Sequence, residues 1–163
     1  MSVDILLLIT WKTWANLPLL DQRGADRLRS LLPELAIMHG ASVLELAAVP
    51  THVHMVVEMG LPIDVPILVQ RLKGAPARLI NLDRGTMNRI RWAPGYDARS
   101  ISRRNLPDVR RYFDRQGEHH GMVLLARSSA SVPLVRNAAS VPLACNAASV
   151  PRVLKHALGN GKP

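Results

Sequence analysis

The sequence contains a single cysteine, Cys145. That excludes an intramolecular disulfide framework and a zinc site built on several thiolates. No apolar run approaches the roughly 18 residues a membrane-spanning helix needs. The apolar opening Val3–Thr10 is short, carries Asp4 and lacks a basic leader, so it predicts a first strand and not a signal peptide. Together these absences predict a cytoplasmic protein with no membrane segment. Phenols are scarce too, Tyr96 and Tyr112 being the only two. Acidic groups are few, 12 against 21 lysines and arginines, and they are missing altogether after Gly121.

With 163 residues, 48% of them apolar, the chain is long enough for one domain with a substantial core. Its charge is unevenly spread. Residues 1–70 carry 4 basic and 7 acidic groups, whereas residues 71–115 carry 12 basic and 4 acidic ones. Such a concentration of positive charge suits a polyanionic partner such as nucleic acid. A solvated arginine-rich surface would have the same composition.

Hydrophobic patterning orders the elements. Val3–Trp11 is a nearly continuous apolar run, the pattern of a central strand covered on both faces. Thr13–Leu20 reads as a loop. Asp21–His39 has Leu28, Leu31, Leu32, Leu35 and Met38 at helical spacing and ends at Gly40, with Pro33 expected to kink or split it. Ser42–Val49 and His52–Met59 read as a hairpin across Pro50-Thr51. Asp64 is a suitable N-cap for a helix to Asn81, bent near Gly74 and Pro76. Leu82–Asn88 reads as a loop, Arg89–Ala93 and Ala98–Ser102 as short strands, and Asn105 as the cap of a third helix. Three units of a degenerate nine-residue repeat, the last one residue longer and each with Ser-Val-Pro, fill Ala130–Ala157. Their prolines break helix and strand alike, so residues 121–163 are expected to be a disordered low-complexity tail behind a domain over 1–120. The order β-α-β-β-α-β-α predicts an α+β, ferredoxin-like antiparallel sheet with helices packed on one face.

Two stretches carry chemistry. His52-Val53-His54 lies in a run of β-formers, so both imidazoles point to one face and form half of a site for a divalent ion. Ordinary core or surface histidines would give the same pattern. Tyr112 and Gln116 are four residues apart on the third helix, hence neighbours on its surface. The amide oxygen could complete a metal site begun by the histidines, and the phenol could attack a phosphate polarised by that ion. Read blandly, Tyr112 is a core aromatic beside Phe113 and Gln116 a solvent-facing residue.

Five stretches then match a known pattern in order: ITWKTW at 9–14, VPTHVHMVVEM at 49–59, VQRLKGAPARLIN at 69–81, RWAPGYDARSIS at 91–102 and VRRYFDRQGEHH at 109–120. With them the chain resembles the single-tyrosine HUH transposases, the group of small insertion-sequence transposases and REP-associated tyrosine transposases. The resemblance covers residues 3–120. It implies a ferredoxin-like domain, usually a homodimer, that cleaves and rejoins single-stranded DNA with hairpin ends through a 5′-phosphotyrosine, using Mg2+ or Mn2+. By that resemblance Tyr112 is the nucleophile, and His52, His54 and Gln116 are the metal ligands. Arg71, Lys73 and Arg78 are expected to contact the DNA backbone, and Arg91, Arg110 and Arg111 are counted with them. Trp92 is expected to stack on a base or to fill the core. A nucleoid-associated place in a bacterial cytoplasm would follow. The sequence departs from the family in having Thr51 where an aspartate usually precedes the first histidine, Pro76 where serine is usual, and the repeat tail. Those departures also fit a catalytically reduced or domesticated relative that binds REP-like hairpins without transposition. A third reading is a hydrolase using a metal-bound water on the histidine pair.

Overall fold

The computed structural model describes residues 5–60, 62–83, 88–116, 118 and 123–129. Strand β1, Ile5–Lys12, leads through a 3-10 turn at Trp14–Asn16 to helix α1, Gln22–Met38. The Asp21 carboxylate accepts from the Gly24 amide at 2.7 Å and closes the helix's first turn. At the other end Gly40, with φ +75°, turns the chain into β2, Ala41–Val49. β3, His52–Met59, follows as the second arm of the expected hairpin. Helix α2, Val65–Leu82, is capped by Asp64, which accepts from the Ile67 amide at 3.0 Å. β4, Asp97–Ile101, precedes α3, Leu106–Asp114, and β5 is Ala126–Ser129.

The strands form one sheet in the order β4-β1-β3-β2-β5, with each neighbouring pair antiparallel. The apolar run β1 lies between β4 and β3, the interior place its composition predicts. Within β4-β1-β3-β2 the topology is the split β-α-β arrangement of the ferredoxin-like fold.

Register decides what each face carries. Thr10 lies opposite His54 and Lys12 opposite His52, while Ala47 and Val49 flank the same histidines on the other side. These residues therefore share one face with Val56, Glu58 and Glu45. The opposite face presents Ile9, Trp11, Leu46, Ala48, Val53, Met55 and Val57, all buried. Helices α1 and α2 pack on each other and cover that apolar face with Leu28, Leu32, Leu35, Leu68, Leu72 and Ile80. The short α3 lies across the histidine face, where Phe113 packs on Ala47 and Val56. Full burial of that one aromatic ring contributes roughly 1.5–3 kcal/mol.

Several local expectations change. α1 continues through Pro33 as a single element and is not split. The proline forfeits one backbone bond to Arg29, but the buried stripe on either side of it outweighs the loss. α2 likewise runs through Gly74 and Pro76. Residues 89–93 do not form a strand. Only an isolated bridge joins Trp92 to Thr13, and the Asn81 side chain takes the place of a strand partner. Its carbonyl accepts from the Ile90 amide at 2.7 Å and its amide donates to the Ile90 carbonyl at 2.8 Å. Asn105 stands at the N-cap of α3, yet its side chain accepts from the Ser102 hydroxyl at 3.0 Å and caps nothing. Past the boundary expected at residue 120, Ala126–Ser129 pairs with β2 as a fifth strand. The three repeat units after Ala130 lie outside the described residues.

Candidate active site

The site lies where β1, β3 and α3 meet on the histidine face. The His52 and His54 rings stand edge to face, with centroids 4.7 Å apart. Both residues are buried. Each ring is fixed through Nδ1 by a threonine. The Thr51 hydroxyl lies 2.9 Å from His52 Nδ1, and the Thr10 hydroxyl, from the neighbouring strand, lies 2.7 Å from His54 Nδ1. Such bonds set the ring orientation and direct the Nε2 edges the other way.

Gln116, just past α3, is fully buried under this pair. Its side-chain nitrogen faces the Tyr112 carbonyl at 3.5 Å, which turns Oε1 toward His52 Nε2 at 3.3 Å. Tyr112 lies beside His54, ring centroids 5.6 Å apart, and is 40% exposed. Phe113, its neighbour, is wholly buried, 5.6 Å from the same histidine. α3 thus anchors itself with Phe113 and leaves the Tyr112 ring partly exposed, while Gln116, two residues past its end, turns inward. The expected quartet Tyr112, His52, His54 and Gln116 comes together within one chain, and Gln116 is a core residue rather than a surface one.

The donor set fits a divalent cation. His52 Nε2 and Gln116 Oε1 lie 3.3 Å apart, close to the separation of about 3 Å between adjacent ligands of an octahedral ion, and the His54 ring stands beside them, its centroid 4.7 Å from that of His52. Among the described residues no three His, Cys, Asp or Glu side chains group for a metal, at this site or elsewhere, so the third ligand here would have to be the Gln116 amide.

An ionic clamp holds α3 in place. Glu45 of β2, fully buried, accepts from Arg110 Nε at 2.5 Å, Arg127 at 2.7 Å and the Ser129 hydroxyl at 3.0 Å. Arg127 also donates to Asp114 at 2.8 Å, so β5 and α3 are tied to the same carboxylate. Burial opposes the charge on Arg127, but its bonds to Asp114 and Glu45 outweigh this and leave its pKa above the ordinary guanidinium value. Sequence reasoning missed this clamp, as it missed Thr10. Thr10 gives no local signal, and Glu45 lies 82 positions from Arg127.

The six expected DNA contacts are not alike. Lys73 donates to the carbonyls of Ala93 at 2.8 Å and Gly95 at 2.6 Å, bracing that loop, and burial lowers its pKa. Arg110 belongs to the Glu45 clamp, and Arg111 pairs with Asp108. The Arg91 guanidinium lies 3.9 Å above the Trp14 ring. Arg71 and Arg78 are exposed on α2. Trp92 fills the framework: its ring N–H donates to the Lys73 carbonyl at 3.0 Å, and it meets Trp11 edge to face.

Known proteins share this arrangement of elements. The chain is similar to the ISDra2 transposase TnpA of Deinococcus radiodurans, 27% identical over 97 residues, which are 56% of this chain and 69% of that protein. A crystal structure assigned as a transposase of Deinococcus radiodurans R1 aligns with a TM-score of 0.51 at 23% identity, over 71% of this chain and 92% of that one. The structure of a REP-associated tyrosine transposase bound to a REP hairpin aligns with a TM-score of 0.55 at 17% identity, over 76% and 73%. At those identities the two structures speak for the fold alone. The family model described as "Transposase IS200 like" matches residues 4–116, more than half of the sequence, and the chain belongs to that family.

Proposed function

We propose that this transposase cleaves and rejoins single-stranded DNA through a covalent bond to Tyr112, at a divalent-ion site made by His52, His54 and Gln116. The observation that carries the reading is the convergence of Gln116 Oε1 on His52 Nε2 beside an accessible Tyr112. A helix and a strand far apart in sequence supply those groups to one patch.

In the forward step the Tyr112 oxygen attacks phosphorus, the bond from phosphorus to the 3′ oxygen breaks, and the 5′ phosphate stays esterified to tyrosine. The phenolic proton is given up and the departing 3′ oxygen gains one, leaving a 3′ hydroxyl. Rejoining is the reverse, with a 3′ hydroxyl attacking the phosphotyrosine. Mg2+ or Mn2+ held by the three ligands would neutralise charge on the phosphate. Thr51 and Thr10 keep the imidazoles oriented. Phe113 and the Glu45 clamp hold the Tyr112 ring beside His54, so that little reorganisation is needed when substrate arrives. Hairpin-ended DNA and a homodimer belong to the same reading, supported by the family membership.

The test is a denaturing gel of purified protein mixed with labelled single-stranded DNA from the flanks of its own gene. A protein-sized labelled band that requires Mg2+ or Mn2+ and is lost in Tyr112→Phe is expected. DNA cut without an adduct, with Tyr112→Phe still active, would favour a metal-bound water as nucleophile. Tight binding with no cleavage would mark a relative that only holds DNA.

A further inference from the structure

Trp14 differs from the other two tryptophans. Trp11 is buried and Trp92 is bonded into the framework. Trp14 is 40% exposed, with the Arg91 guanidinium stacked on one face of its ring. The turn that presents it is fixed and strained. Thr13 binds the Thr51 carbonyl through both its amide, at 2.8 Å, and its hydroxyl, at 2.9 Å, and the Trp14 amide donates to the Arg91 carbonyl at 2.8 Å. Ala15 and Asn16 follow with φ of 53° and 54°. Asparagine tolerates the left-handed region, but alanine adopts it only at a cost, and such strain concentrates at ligand-holding segments. The turn is also tied to the centre described above. Thr51, on which Thr13 is anchored, is the residue that holds His52, and the exposed Lys12 lies opposite His52 in the sheet.

We propose that Trp14 and Arg91 form a stacking site for an unpaired nucleobase of single-stranded DNA, beside the His52–His54 centre. The inference rests on the DNA reading above and adds a contact to it. An indole and a guanidinium are both planar surfaces on which bases stack without regard to sequence. Arg91 and Lys12 add positive charge beside that surface, which complements the phosphates on either side of a stacked base. A base inside a duplex has both faces covered, so the site selects single strands.

The test measures affinity in the Tyr112→Phe background, where no DNA is cut, using fluorescence anisotropy. The probes are a labelled oligothymidylate and an abasic strand with the same number of phosphates. Trp14→Ala is expected to lower affinity for the oligothymidylate about tenfold, the loss of one stacked base, and to leave the abasic strand unaffected. Trp14→Phe, which keeps a ring, should retain most of the affinity. Unchanged oligothymidylate binding in Trp14→Ala, or equal losses on both probes, would overturn the stacking site. It would leave the Tyr112 chemistry standing, since that is judged by the covalent adduct. Failure of the parent to bind either probe would overturn the DNA reading as well.

Discussion

Two threonine hydroxyls govern how the histidine pair is presented. A hydroxyl can donate or accept. When His52 Nε2 donates to Gln116, the Thr51 hydroxyl donates to Nδ1. A cation on Nε2, as proposed above, would leave the proton on Nδ1, where the same hydroxyl could accept it. In the proposed site Thr51, 2.9 Å from His52 Nδ1, would perform the orienting task that the resemblance gives to an aspartate, and its presence does not by itself argue for a dead site. Thr10→Val and Thr51→Val should each weaken Mn2+ binding about tenfold or more, measured by calorimetry, with melting temperatures near that of the parent. Thr51→Asp should bind at least as tightly as the parent, since a carboxylate accepts from the Nδ1–H that the bound form requires. His39, at the end of α1, is a residue of another kind. Burial lowers its pKa, and the nearby Arg71 lowers it further. Protonation is thus easier in the unfolded chain, so His39 costs nothing above its ordinary pKa of about 6.5 and destabilises the fold as pH falls below it. Melting temperature should drop more steeply between about pH 7 and pH 5.5 in the parent than in His39→Gln.

Helix α3 is the element on which the proposed chemistry turns. It has nine residues, fewer than the roughly 12–15 an isolated helix needs to be even marginal in water. Phe113 and the Glu45 clamp supply what its length does not. Phe113→Ala should cost about 3–5 kcal/mol in urea unfolding. Glu45→Gln leaves Arg110 without its carboxylate and Arg127 with Asp114 alone, and a loss of about 3 kcal/mol is expected, at the low end for a buried pair because both arginines reach solvent. Cleavage by Glu45→Gln, measured at a temperature where it remains folded, should fall further than the folded fraction does. Equal stability and activity in parent and variant would mean the clamp positions nothing. The helix itself was legible from Val109, Tyr112, Phe113 and Gln116 at one-face spacing. Its clamp was not, because Arg127 comes from beyond the expected domain boundary and meets Glu45 only through the pairing of β5 with β2.

Across the whole molecule the formal charge of +9 makes DNA binding salt-dependent whatever the site does. The individual cations differ in their share. Arg78, exposed on α2, is available to a phosphate, so Arg78→Ala should reduce the slope of log affinity against log salt by about one. Lys73 spends its ammonium on two backbone carbonyls. Lys73→Met should leave that slope unaltered and lower the melting temperature instead. Charge counted along the sequence sees both residues as equal, whereas their surroundings make one a brace and the other a surface cation. No helix among the described residues is long and apolar enough to cross a membrane.

Periodicity determined much of this protein without help. The apolar run of β1 required a sheet interior, the alternation in β3 put His52 and His54 on one face, and the spacing of Tyr112 and Gln116 made them neighbours on a helix. These are short-range consequences of backbone geometry, and they are written locally. Tertiary structure decided the rest. It chose which helix covers the histidine face, turned Gln116 from a surface residue into a buried one, and brought Thr10 to His54 from across the sheet. It also drew a strand from residues that read as tail. Each of these depends on which segment lies beside which, and that is fixed by burial and hydrogen bonding summed over the whole sheet rather than by any stretch of sequence alone.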